Sequence, residues 1–152
     1  MVKVRLSQAI VAGFWATVAL SAMMLVKQMM GIMLDVNPVM DLALLYANAT
    51  NSTPNVLIGW LMHFVLGTLI WGIAYALLSP HFPGGHLIRG LIFGVLAWLA
   101  MMLIFMPYVG HGFFAMGYHE GFMPAMATLM LHLVYGAVLG KVYGHLTAES
   151  AK

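Results

Sequence analysis

Apolar residues in this chain fall into four long runs, covering about residues 7–26, 56–78, 87–109 and 124–145. Each meets the roughly 20 residues that a helix needs to cross a bilayer core. None has a charge near its middle. Arg89 and Lys141 stand near run ends, where long side chains reach back to water. The segment from Lys27 to Asn55 is too long for a simple turn. Met29 to Leu34 can continue the first helix past the membrane. Asn37-Pro38 is a helix start signal, a capping side chain followed by Pro at the first helical position. It predicts a short helix over 39–48, lying at the outer interface. Asn48 to Pro54 reads as a polar turn. Pro80, Pro83, Gly84 and Gly85 make a tight loop between runs two and three, and Pro107, Gly110 and Gly112 end run three. The pattern predicts an all-α fold: a transmembrane four-helix bundle with a short outer interfacial helix, residues 1–152 forming one integral membrane domain.

Composition agrees. Residues of the set AVILMFWYC make up 63% of the chain and charged residues 7%, with a mean hydropathy of +0.97. A soluble domain carries roughly 25% charged residues, so this chain cannot cover a water-facing surface. Six basic and four acidic residues are too few for a phosphate-binding patch, which excludes a nucleic-acid partner. There is no cysteine, hence no disulfide, Fe–S or thiolate chemistry. The first run follows Lys3 and Arg5 and contains Ala19-Leu20-Ser21, a pattern shared with leader peptides and their cleavage sites. We read it as the first membrane helix.

The basic residues set an orientation. Lys3 and Arg5 precede run one, Arg89 lies between runs two and three, and Lys141 and Lys152 close the chain. All five fall on one side. Lys27 falls on the other, with Asp35, Asp41 and Glu120. The expected location is a bacterial inner membrane with both termini cytoplasmic.

The halves of the chain resemble each other. Runs one and three both begin near a glycine, Gly13 and Gly90. Both end in Ala-Met-Met-Leu, at 22–25 and 100–103, with one residue of slippage. Run two contains Leu61-Met62-His63 and Gly67, and run four contains Met130-Leu131-His132 and Gly136. Two tandem hairpins in the same orientation are expected, related by an axis along the membrane normal. The stretches Ala12-Gly13, Gly59-Trp60-Leu-Met-His63, Arg89-Gly90-Leu-Ile-Phe-Gly-Val and His132-Leu-Val-Tyr-Gly-Ala-Val-Leu-Gly140 carry a wider likeness. With them the chain resembles a bacterial family of small four-span membrane proteins of unknown function. The resemblance covers nearly the whole chain. It implies the four-span fold and no activity, cofactor or substrate.

His63 and His132 are the informative residues. An ionisable ring inside a bilayer is costly and usually faces a partner or a site. Each lies about eight residues from the outer end of its run, about 12 Å deep at 1.5 Å per residue. Small residues stand four positions away on the same helix face: Gly59 and Gly67 around His63, Thr128 and Gly136 around His132. A flat macrocycle held by a ring nitrogen needs such a slot. Two facing imidazoles in a four-helix bundle can ligate a b-type haem, and another tetrapyrrole needs only one. Small residues four apart also serve close helix packing, so the histidines can equally be structural. In the outer loops, His111, His119 and Glu120, with Asp35 or Asp41, are candidate ligands for Zn²⁺ or Cu²⁺. They can equally be a hydrated rim. The 15 methionines read as packing material.

No P-loop, Rossmann fingerprint or Ser-His-Asp set is present, and no catalytic activity of its own is expected. Three roles stay open. The first is a redox or pigment-binding subunit with His63 and His132 as ligands. The second is a cofactor-free accessory subunit packed against other membrane subunits or a second copy. The third is a small oligomeric channel or carrier. Topology is testable directly. Reporters fused at either terminus or within residues 79–86 should register the cytoplasm, and reporters near Asn51 and Phe114 the outside. A C-terminus on the outside would overturn the orientation.

Overall fold

The computed structural model describes residues 4–149; Lys3 and Lys152, used above for orientation, lie outside them. Helix α1 spans Leu6–Met29, α2 Pro38–Thr50, α3 Val56–His81, α4 His86–Tyr108 and α5 Met123–Glu149. All except α2 are long and apolar enough to cross a membrane. The chain is an all-α bundle of four candidate spans with one short helix outside the set.

Lipid chains are as apolar as leucine, so helices in a bilayer associate through close packing rather than through burial from water. The glycines provide that closeness. In the hairpin α4–α5, a Cβ on Gly90 would strike the Gly136 carbonyl, and one on Gly140 the His86 carbonyl. In the hairpin α1–α3, a Cβ on Gly13 would lie 2.7 Å from the Thr68 carbonyl, and one on Gly72 2.8 Å from the Ala9 carbonyl. The two sets correspond. Gly67 and Gly136 stand 69 positions apart, Gly72 and Gly140 stand 68 apart. Between Gly67 and Gly72, α3 contains a wide turn over Leu66–Ile70, and a wide turn takes up one extra residue. The residue-for-residue match resumes one place later, where Tyr75 corresponds to Tyr143. These two buried phenols meet edge to face, with centroids 5.4 Å apart. α4 carries a second wide turn, Met101–Phe105.

Around the bundle, α1 packs between α3 and α5, and α5 packs between α1 and α4. Ala9, Ala12 and Ala16 of α1 join Tyr135, Leu139 and Tyr143 of α5 in the main core, with Tyr75, Ala76 and Phe93. A second cluster of Met102, Met106, Ala115 and Ala125 lies toward the end that carries the α4–α5 loop. Methionine is packing material there. α3 and α4 meet near their connecting turn, where Phe93 takes the edges of Trp71 (5.9 Å) and Tyr75 (5.4 Å). Beyond that point they scarcely pack.

α1 stops at Met29 rather than running on to Leu34. Gly31 and Met33 both take positive φ, +70° and +44°, and the Lys27 ammonium donates to the carbonyls of Met33 (2.7 Å) and Val36 (2.8 Å). That clamp turns the chain back into α2. Asn37 caps α2 through the Met40 amide (3.2 Å), with Pro38 at its first position, as its sequence predicts. α2 is longer than expected. It buries Val39, Leu42, Ala43 and Ala47 and packs on the first half of α3.

The glycine contacts can be tested by one methyl. Gly136→Ala places a carbon on the Gly90 carbonyl and should lower stability in detergent by about 1–3 kcal/mol. Gly85→Ala meets nothing within 4 Å and should change it by less than about 0.5 kcal/mol. Equal losses in thermal unfolding would contradict the close approach of α4 and α5.

Candidate functional site

Between the two hairpins lies a cavity of about 380 Å³, within the roughly 300–1,000 Å³ of small-molecule sites. Every helix contributes. α1 supplies Leu20 and Met24, α2 supplies Pro38 and Leu42, and α3 supplies His63, Leu66, Gly67 and Trp71. α4 supplies Ala97, Ala100, Met101, Ile104 and Phe105, and α5 supplies Thr128, Leu131, His132 and Tyr135. The two histidines, 69 positions apart in the sequence, line the same space.

Their ring nitrogens are held differently. His132 Nδ1 lies 2.8 Å from the Thr128 carbonyl. A carbonyl only accepts, so Nδ1 carries the proton and Nε2 keeps its lone pair. This is the tautomer that a ligating imidazole needs, with its other nitrogen fixed from behind. His63 Nε2 lies 3.1 Å from Ser21 Oγ, where either partner can donate. Trp60 and Phe64 pack edge-on against the His63 ring, at 5.6 and 5.8 Å. The Thr128 hydroxyl is occupied. It donates to the carbonyls of Pro124 (2.8 Å) and Ala125 (3.0 Å), and Trp98 Nε1 donates to it at 3.3 Å. Thr128 therefore acts on the cavity through its carbonyl. The Tyr135 hydroxyl donates to the Gly67 carbonyl at 2.6 Å. Gly67 lies in the wide turn of α3, and a widened turn opens carbonyls to outside partners.

The slot expected of the four small residues is only half present. Gly67 and Thr128 line the cavity, although a Cβ on Gly67 would strike the Thr17 hydroxyl of α1. Gly59 does not: a Cβ there would strike the Val39 carbonyl of α2. Gly136 lies against Gly90 of α4. Both permit close helix packing away from the cavity wall. The residues that keep the space open, Ala97 and Ala100 of α4, were not singled out in the sequence. Alanine is ordinary in an apolar helix, and only its position across from the histidines gives it meaning.

The loop histidines also sort differently from the metal set. His111 Nε2 donates to Asp41 Oδ1 at 2.9 Å, and the Tyr118 hydroxyl donates to Asp41 Oδ2 at 3.2 Å. The His111 and Tyr118 rings stack at 4.1 Å. His119 and Glu120 are exposed. Among the described residues no group of three or more His, Asp or Glu comes together as metal ligands. Asp41 takes up the Nε2 of His111, and His119 takes a left-handed backbone conformation, φ +57°, at the end of the turn Phe113–Tyr118. Asp41, 7% exposed, thus ties α2 to the α4–α5 loop. Burial and the neighbouring Asp41 charge push the Tyr118 phenol above its usual value of 10.0.

The apolar spans, the close glycine packing and the internal cavity define a small multi-span membrane protein. A family model described as "Family of unknown function (DUF6789)" matches residues 3–152, and the chain belongs to that family. Neither the curated proteins nor the solved structures yield a match.

The Asp41 tie generates a prediction. Asp41→Ala leaves the His111 imidazole and the Tyr118 hydroxyl without their acceptor, and should lower stability by about 1–3 kcal/mol. A phenol whose folded pKa is raised contributes stability that is complete below its unfolded value, and loses it as pH rises through the folded value. The wild type should therefore keep its advantage over Tyr118→Phe up to pH 10 and lose it at higher pH. An advantage that grew with alkalinity would contradict the Tyr118–Asp41 bond.

Proposed function

We propose that this protein is a membrane subunit that binds a b-type haem, or another tetrapyrrole, in the cavity between its hairpins, for electron transfer. The observation that carries this reading is that His63 and His132, one from each half of the chain, line a single apolar cavity. Their chemistry suits the group. His132 presents an unprotonated Nε2 backed by the Thr128 carbonyl, and His63 keeps a lone pair on Nδ1 in the tautomer whose Nε2–H donates to Ser21 Oγ. Apolar walls exclude water, which favours a macrocycle and disfavours hydrated ions. When bound, the haem would supply one-electron chemistry; the chain holds it, orients it and keeps it dry. Arg5, Arg89 and Lys141 support an inner-membrane orientation with cytoplasmic termini.

One observation favours a second reading, a cofactor-free accessory subunit. The His63–Ser21 bond and the edges of Trp60 and Phe64 are what a structural histidine would have.

A visible spectrum of protein purified with haem supplied separates the two. Under the first reading a Soret band sharpens on reduction, and His132→Ala abolishes it. Under the second the spectrum is flat. The His→Ala variants then cost only about 0.6 kcal/mol each, the average for a hydrogen bond in a membrane bundle.

A further inference from the structure

The cavity has walls on all sides but one. Its back is the packed pair α1 and α5. One end is closed by Pro38 and Leu42 of α2. The other end is closed by the Trp71–Phe93–Tyr75 ring contacts that join α3 to α4. Above those rings α3 and α4 scarcely pack. The residues flanking the gap, Leu66 and Ile104, line the cavity, and Ile104 is 69% exposed on the outside of the bundle. Ile104 lies four residues inside the end of α4 and Leu66 ten residues inside α3, about 6 and 15 Å along their helices. Both stand within the candidate spans, so the gap faces hydrocarbon.

We propose that the gap between α3 and α4 is a lateral portal. A phospholipid acyl chain fills the cavity through it when no other ligand is bound. Most of the lining is apolar and offers water few partners, and leaving the space empty forfeits the contacts of its whole lining. Lipid chains lie directly alongside, and they match the lining chemically. The site therefore takes ligands that dissolve in the bilayer, and they reach His63 and His132 sideways rather than from water. The proposal rests on the cavity being a binding site; it does not require that the ligand be haem.

The test uses the haem-free wild-type protein in phosphatidylcholine vesicles whose acyl chains carry a diazirine. After illumination, adducts are mapped by mass spectrometry. Adducts are expected on Leu103 and Ile104, which face outward, and also on Leu131, His132 or Tyr135 at the back of the cavity. Ala100→Trp, which fills the space, and Ile104→Trp, which narrows the mouth at an exposed position, should each reduce the inner adducts several-fold. Adducts on Leu103 should not change. Adducts confined to the outward residues of the wild type, or inner adducts that neither variant reduces, would overturn the portal. The spectrum tests the other reading separately. Inner adducts with a flat spectrum keep the portal and remove the haem. A Soret band without inner adducts keeps the haem and removes the portal.

Discussion

The contact on which this architecture depends is glycine against backbone carbonyl within each hairpin. In lipid, a leucine gains nothing by leaving the chains for a protein neighbour, so attraction comes from dense contact and from the dipoles brought near each other. Gly90, Gly136 and Gly140 let α4 and α5 approach until one backbone touches the other. Gly13 and Gly72 do the same for α1 and α3. Two tight pairs result, and tight pairs leave few adjustable side chains inside them. Whatever space the bundle contains must then lie between the pairs.

Where that space opens follows from residue size. Toward the connecting turn of α3 and α4, the gap between hairpins is filled by Tyr75, Phe93, Tyr143 and Trp71. One turn further along α4, Phe93 gives way to Ala97 and then Ala100, and the filling stops. The hairpins are held at this level by a hydrogen bond rather than by bulk. Tyr135 of α5 reaches across to the Gly67 carbonyl of α3, while Ser21 of α1 reaches His63 within its own hairpin. The wide turn in α3 contributes twice. It presents the Gly67 carbonyl to Tyr135, and it shifts the register so that Gly72 still meets α1 and Tyr75 still meets Tyr143.

Most of the fold is legible in the sequence, because four apolar runs bounded by Pro and Gly leave few alternatives. The cap of α2 is equally legible, since Asn37-Pro38 is a local chemical signal. The likeness of the halves is legible in part. The change of offset from 69 at Gly67 and Gly136 to 68 at Gly72 and Gly140 follows from the wide turn in α3, and a wide turn has no composition of its own. The histidines stand out because imidazole is rare in hydrocarbon, and they do reach one cavity. The glycines around them mislead, because i±4 spacing gives a face and not the neighbour that the face meets. Gly59 meets α2, Gly136 meets α4, and Gly67, although it lines the cavity, makes room for Thr17 of α1. His111 is illegible for the same reason. Its partner Asp41 is 70 positions away, and nothing along the chain joins them.

α2 shows how the water-facing chemistry protects the apolar site. A helix of 13 residues is marginal alone, yet its Pro38 and Leu42 close one end of the cavity. It is fixed at four places: Asn37 caps its start, Lys27 holds the carbonyls before it, and Val39 rests on Gly59. The fourth is Asp41, which binds His111 and Tyr118. Three of these anchors are polar and lie at the end of the bundle where water replaces lipid. Polar anchors specify direction, whereas apolar contact alone would let a short helix slide. With that end fixed shut, the lone pair on His132 faces a space bounded by hydrocarbon on its remaining side. That nitrogen has no carboxylate among the residues that line the cavity. It is available to an electrophilic or hydrogen-bonding group that arrives through lipid.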